Sequence, residues 1–246
     1  MFNNQGFQSQ KAILESSSVA NSSCIYGPSK IGKNAIIDSF VVIGYPKRVK
    51  TKEFIQGNEA IIIENSFDEI SNGSIIGKDN HIRPFTIIYE DSKLESDVET
   101  GTHVVVRENC HIGSGSIIGS ATILDSGVTI GKDARIQSSN FIPPKITLGN
   151  NVFLGPGVRF ANDPYPVSSE LTTTIVEDNV IIGIGAIILA GITIGEDAVI
   201  AAGSIITKNV PKSNVMMGIP ARRVMSRKEY DIKRKKYENR MKLTSS

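Results

Sequence analysis

The stretch Ile112-Gly-Ser-Gly-Ser-Ile-Ile-Gly-Ser-Ala-Thr-Ile-Leu124 repeats a six-residue unit, and that unit runs through most of the chain. Its aliphatic first position falls at Ile112, Ile118 and Leu124. Stepping back by six gives Val106, Leu94, Ile88, Ile82, Ile76 and Ile70. Stepping forward gives Ile130, Ile136, Ile142, Leu148, Leu154 and Phe160. Thr100 is the one polar member of the series. Glycine often follows, as at Gly77, Gly101, Gly113, Gly119, Gly131, Gly149 and Gly155. The fifth position is small or β-branched: Val104, Cys110, Ser116, Thr122, Val128 and Ala134.

A period of six matches neither a helix, at 3.6, nor a simple alternating strand. It is even, so short β segments can keep one face inward if the chain turns a corner every six residues. Glycine at the second position permits that turn. First and fifth positions then point inward, and each buried Ile or Leu contributes roughly 1.5–3 kcal/mol relative to exposure. Coils built this way stack, each covering its neighbour's edge.

The phase breaks between Phe160 and Val176, then returns at Ile182, Ile188, Ile194, Ile200 and Ile206. A shorter tract at Val19, Ile25, Ile31, Ile37 and Ile43 loses register across 44–69. Three interruptions therefore stand out, and loops on a rigid scaffold often carry binding residues. The first is 44–69, a basic loop from Gly44 to Glu53 leading into a strand-like Ala60-Ile-Ile-Ile63. The second is 161–174, with Asn162, Asp163, Pro164, Tyr165 and Pro166. The third is everything after Pro211. The plainer readings are a solvated excursion, a protrusion at a subunit interface, and a cap on the solenoid's open end.

Charge narrows the function classes. The 246 residues carry a net charge of +2, which gives no global reason to bind nucleic acid or an anionic membrane. The segment Arg222–Lys242 alone carries +7, leaving −5 on the rest. Two cysteines are too few for a disulfide framework. The first thirty residues hold no apolar leader stretch, and no run reaches the roughly 18 residues of a spanning helix. The expectation is a soluble, cytoplasmic protein.

The runs Ile112–Ile117 and Ile194-Gly-Glu-Asp-Ala-Val199 resemble the hexapeptide repeat of left-handed parallel β-helix proteins. That resemblance covers about 25–210 and implies three hexads per coil, so residues 18 apart stack. The expected fold is all-β: a left-handed parallel β-helix over 1–211 with loops at 44–69 and 161–174, then a C-terminal loop and short basic helix over 212–246. Ile181–Gly195, Ala201–Pro211 and Met217-Gly-Ile-Pro-Ala-Arg222 are similar to the coenzyme A-binding end of hexapeptide acyltransferases. Asn151–Pro166 resembles the subgroup that N-acetylates nucleotide-linked amino sugars.

The resemblance implies an acetyl-coenzyme A-dependent N-acetyltransferase, a homotrimer with sites between subunits, acting on a nucleotide-linked amino sugar by direct attack in a ternary complex. An O-acetyltransferase of the same superfamily and a non-catalytic solenoid scaffold are the alternatives. Gly185, Ala186, Ala201, Ala202, Lys208, Arg222 and Arg223 are the expected coenzyme-binding residues. The amides around Gly185 and Ala186 are expected to serve a tetrahedral oxyanion. Asn162, Asp163 and Tyr165, with Arg107 and Glu108, are expected at the acceptor.

Of the three histidines, His103 lies in the hexad that Thr100 disrupts. The offset of 18 places it between Phe85 and Ala121, facing outward with room for a ligand, and aligns Tyr89, Arg107 and Asp125 on another ladder. Histidine suits a base near neutral pH, so His103 is the catalytic candidate; an interface residue is the plainer alternative. A zinc site of the gamma-carbonic-anhydrase type needs a His pair five apart, whereas the separations here are 22 and 8, so no metal is expected. Cys110, at an inward position, is expected to be core filler.

Overall fold

The structure, a computed structural model, describes residues 6–56, 63–168 and 170–244. The hexads form a left-handed parallel β-helix. Each complete coil contributes three short strands, which stack into three parallel faces. The first face runs from Ile13–Leu14 to Thr193–Ile194, the second from Ser18–Val19 to Val199–Ile200, and the third from Cys24–Ile25 to Ile205–Ile206.

Register follows the offset of 18, as in Val105 against Ile123 and Ile123 against Phe141. Across the first interruption Lys30 pairs with Ile75 and Val42 with Ile87. Across the second, Arg159 pairs with Ile187. Both segments are thus insertions between coils that remain in register, because the buried aliphatic ladder penalises any other pairing.

The inward positions are filled as the period requires. Ile76, Ile82, Ile88, Leu94, Val106, Ile112, Ile118 and Leu124 are buried, as are Val104, Cys110, Ser116, Thr122, Val128 and Ala134. Thr100 is also buried; its hydroxyl accepts from the Arg83 amide at 3.0 Å and meets the Thr86 hydroxyl at 3.3 Å. A polar residue is tolerated in this core because it has partners there.

One corner explains much of the remaining sequence pattern. Asn34, Asp79, Asp97, Gly115, Asp133, Asn151, Asn179 and Asp197 all have positive φ there. Asn, Asp and Gly are the residues that enter this region most readily.

The segment 44–69 differs from expectation. It contains helix α1 (Arg48–Gln56) and helix α2 (Ile63–Ile70), so Ile63 is helical and Ile70 ends a helix instead of starting the repeat. Ala60, Ile61 and Ile62 of the strand-like run lie outside the described residues. In this segment α2 buries Phe67 against Tyr26 and Tyr45. The helices are pinned to the solenoid by Glu90, whose side chain is wholly buried. Its carboxylate accepts from Lys50 Nζ at 2.7 Å, the Asn72 amide at 2.7 Å and the Lys47 amide at 3.1 Å.

After residue 211 the strand Asn214–Gly218 joins the second face beside Val199–Ile200, and Ala221–Ser226 returns antiparallel to it. Helix α3 (Arg227–Thr244) follows. Ser226 and Glu229 cap it reciprocally: the Ser226 amide donates to Glu229 Oε2 at 2.7 Å, and the Glu229 amide donates to Ser226 Oγ at 3.3 Å. Among the described residues no helix is long and apolar enough to cross a membrane.

Candidate active site

The corner between the second and third faces carries a graded ladder: Phe40, Phe85, His103, Ala121, Ser139, Gly157, Gly185 and Gly203, all with positive φ. At its N-terminal end the rings stack. Phe40 and Phe85 lie 5.3 Å apart and nearly parallel, and Phe85 and His103 lie 4.8 Å apart at 17°. The His103 amide donates to the Pro84 carbonyl at 3.1 Å, which fixes the turn. Its ring is exposed and has no hydrogen-bond partner among the described residues.

Toward the C-terminal end the ladder becomes bare backbone. A Cβ added at Gly157, Gly185 or Gly203 would meet no atom within 4 Å. The corner from His103 to Gly203 is therefore a smooth open track five coils long, roughly 24 Å at the usual strand spacing. At its far end the Ala202 N–H and C=O lack backbone partners among the described residues, whereas the Ala201 N–H is committed to Met216 at 2.9 Å.

Beside that end, Lys208, Arg222 and Arg223 line a cleft of 330 Å³ with Thr207 and Asn209. No carboxylate lines it, and none of the three cations makes a salt bridge among the described residues, although the Arg223 charge, after the Ser226 hydrogen bonds, contributes to lowering the Glu229 pKa. Arg222 donates to the Ala221 carbonyl at 2.9 Å and Arg223 Nε to Asn214 Oδ1 at 2.9 Å. Such a cluster of cations suits an anion such as phosphate.

The expected oxyanion donors are not free. The Gly185 amide donates to the Pro156 carbonyl at 3.0 Å and the Ala186 amide to Gly183 at 3.4 Å. The coil-to-coil turns consume these groups, and the Ala186 side chain is buried. Gly185 offers an open surface, and it lies four coils from His103, roughly 19 Å along the axis.

Arg107 stands at the other end of the strand that follows His103. It lies over the Tyr89 ring at 4.9 Å, donates to Glu108 at 3.0 Å and faces Asp125 at 3.7 Å. The ladder Tyr89, Arg107, Asp125 thus forms as the offset implies, but within one chain neither Arg107 nor Glu108 contacts His103. Burial lowers the Arg107 pKa most, but the neighbouring carboxylates outweigh it and the net shift is upward.

The loop 161–174 leaves from that same corner. Asp163 does not point away as a free ligand: its carboxylate accepts from the Tyr165 and Ser168 amides at 2.8 Å each, holding the loop's shape. The Asn162 carbonyl accepts from the Thr172 amide at 2.8 Å, while its side-chain amide has no partner among the described residues. Tyr165, at 84% exposed, stands at the tip.

The other histidines are paired. His81 Nε2 lies 2.9 Å from Asp38 Oδ2, and His111 Nε2 lies 3.0 Å from Glu95 Oε1. Hydrogen bonds from His111 and then Ser114 hold the Glu95 carboxyl below its ordinary value. Among the described residues no group of three His, Cys, Asp or Glu side chains is placed to hold a metal. The Lys50–Glu90 anchor and the Phe40–Phe85 stack escaped the sequence reading. Phe40 meets Phe85 across the insertion, so the offset of 18 does not reveal the pair.

Two family descriptions match the chain: "Bacterial transferase hexapeptide (six repeats)" over residues 173–208 and "Hexapeptide repeat of succinyl-transferase" over 103–138. The chain is 42% identical over 76 residues to 2,3,4,5-tetrahydropyridine-2,6-dicarboxylate N-acetyltransferase of Staphylococcus aureus, covering 31% of each. It is 36% identical over 106 residues to galactoside O-acetyltransferase of Lactococcus lactis, covering 40% of this chain and 50% of the relative. The solved structure of PerB from Caulobacter crescentus, in complex with CoA and GDP-perosamine, aligns at 25% identity over 57% of each chain, with a TM-score of 0.28. The chain spans a third to a half of the length of these two curated relatives.

Proposed function

We propose that this chain, which belongs to the hexapeptide-repeat transferase family, is an acyl-coenzyme A-dependent N-acyltransferase that acetylates an amino sugar on a nucleotide carrier. The observation that carries the acyl-coenzyme A reading is the open corner, with three cations at one end and an exposed imidazole at the other. A long, thin, flexible ligand with a phosphorylated head fits such a track. Lys208, Arg222 and Arg223 bind coenzyme phosphates. The Ala202 N–H and C=O meet a pantetheine amide, and the arm runs over Gly203, Gly185 and Gly157 toward His103.

His103 accepts a proton from the acceptor ammonium, and the freed amine attacks the thioester carbonyl. The tetrahedral intermediate collapses with loss of the thiolate, which takes up a proton as it leaves. The amide product and free coenzyme A result, with no acyl-enzyme.

A homotrimer completes the site. Outward residues of the third face are apolar at Val42, Ile87, Val105, Ile123, Phe141, Ile187 and Ile205. Packing this face against a second copy brings one subunit's Arg107 corner and 161–174 loop toward another's His103 corner. Asn162 and Tyr165 then reach the acceptor, with Asp163 shaping their loop. Dependence on acyl-coenzyme A places the reaction in the cytoplasm.

The test is thiol release from acetyl-coenzyme A across amino-sugar and hydroxyl-sugar nucleotides. Turnover only with amino sugars supports the reading. Turnover with hydroxyl acceptors alone supports the O-acetyltransferase, which the Lactococcus relative's name keeps in view. A chain with no thermal shift on coenzyme A would be the scaffold. Lys208→Ala should mainly raise the KM for acetyl-coenzyme A, since one charge-assisted contact is worth about 1.5–3 kcal/mol.

A further inference from the structure

Among the described residues, the ring-bearing side chains at positive φ are Phe40 at 61°, Phe85 at 63° and His103 at 57°, and they are successive rungs of one corner. Bulky residues are uncommon in that backbone region, which Gly, Asn and Asp enter most readily. Further along the same ladder the chain places Ala121, Ser139, Gly157, Gly185 and Gly203. The turn itself therefore does not call for a phenyl ring. Nor does burial account for the two phenylalanines, which are 44% and 47% exposed. What their rings do is stack, Phe40 on Phe85 and Phe85 on His103. An unfavourable backbone conformation kept at one place in a regular fold points to a function for the side chain that it carries.

His103 is also held differently from the other histidines. His81 and His111 each have Nε2 against a carboxylate, at 2.9 and 3.0 Å. His103 has no such partner among the described residues; its ring contact is the phenyl of Phe85. Ala121 on the next rung is small and exposed, so one face of the imidazole is covered and the other is open. We infer that Phe85, backed by Phe40, is a positioning residue for His103, an inference that rests on the base reading above. The stack fixes the plane of the imidazole and leaves both nitrogens free, where a carboxylate would fix the ring by occupying one of them. A base acts only with its nitrogen within hydrogen-bond reach of the proton, and a misplacement of about 1 Å costs on the order of 10²-fold.

The test uses the full chain, acetyl-coenzyme A and the amino-sugar nucleotide that gives most thiol release. Phe85→Ala should fold, since Ala121 holds the same turn. It should lower kcat about ten- to a hundredfold with both KM values little changed. Phe85→Tyr keeps a ring and should restore most of kcat. In the His103→Asn background Phe85→Ala should cause no further loss, because Phe85 acts through the imidazole. Proton NMR reads the stack without turnover: Phe85→Ala should move the His103 ring protons downfield, as the phenyl ring current is lost, and leave those of His81 and His111 in place. If His103→Asn lowers kcat and Phe85→Ala does not, only this inference falls. It falls equally if Phe85→Ala is as damaging in His103→Asn as in wild type, since the phenyl would then act on something other than the base. If His103→Asn leaves kcat unchanged, or no acceptor is turned over, the base reading fails and this inference with it.

Discussion

His103 and Cys110 stand seven residues apart in the chain and meet opposite environments. The thiol is 2% exposed and donates to the Asp125 carbonyl at 3.1 Å. Burial, the dominant cause, pushes its pKa up to about 12. It therefore stays protonated and inert at neutral pH. Iodoacetamide at pH 8 should spare Cys110 in the native protein and label it in urea; peptide mapping reads the difference. Labelling of native Cys110 at the rate seen in urea would contradict the packing. His103 is the reverse case, exposed and backed only by Phe85. His103→Asn keeps the size but cannot take a proton. It should lower kcat by about 10²–10⁴-fold with KM little changed, the usual contribution of a general base. A loss under tenfold would return His103 to an interface role.

At the scale of elements, the insertion α1–α2 is held by a buried ion pair where most of the solenoid relies on aliphatic ladders. Lys50→Ala leaves the Glu90 carboxylate buried with only two backbone donors. Removing one partner of a buried pair costs about 3–5 kcal/mol. The partly exposed lysine places this case near the lower end. Urea unfolding should show that loss, and Lys50→Ala should expose the α1–α2 segment to protease first. A stability unchanged within 0.5 kcal/mol, on the order of a neutral surface substitution, would mean that Phe67 packing alone secures the helices. Helix α3 is secured differently, by the Ser226–Glu229 cap and by Arg227, which donates to the Asn179 and Asp197 carbonyls at 3.2 and 3.0 Å.

The whole molecule is a prism whose three faces differ. The first and second present Lys93, His111, Thr129, Glu99 and Arg135 among their outward residues. The third is nearly all apolar, with Arg159 its charged outward residue. An exposed apolar surface of this extent marks an association site. Ile123→Arg, in the middle of that face, should dissociate the proposed homotrimer in light scattering and abolish thiol release without unfolding the coils. A fully active monomer of wild type would remove the need for a shared site.

The period of six, carried by residues such as Ile112, Ile118 and Leu124, was sufficient to specify the solenoid, because each aliphatic position has one buried destination and any slip exposes it. The same arithmetic placed Phe85 beneath His103 and aligned Tyr89, Arg107 and Asp125. It failed where the chain leaves the repeat. Ile63 and Ile70 are as apolar as any ladder residue, yet they bound helix α2 within an insertion, so local composition cannot separate strand from helix there. The status of a backbone amide is likewise invisible in sequence. Gly185 and Ala186 carry the right motif, but their N–H groups are engaged by Pro156 and Gly183, while the Ala202 N–H and C=O are left without backbone partners where the stacking ends. Which polar groups remain for a ligand depends on which coil sits above them, and that is a property of the stacked structure.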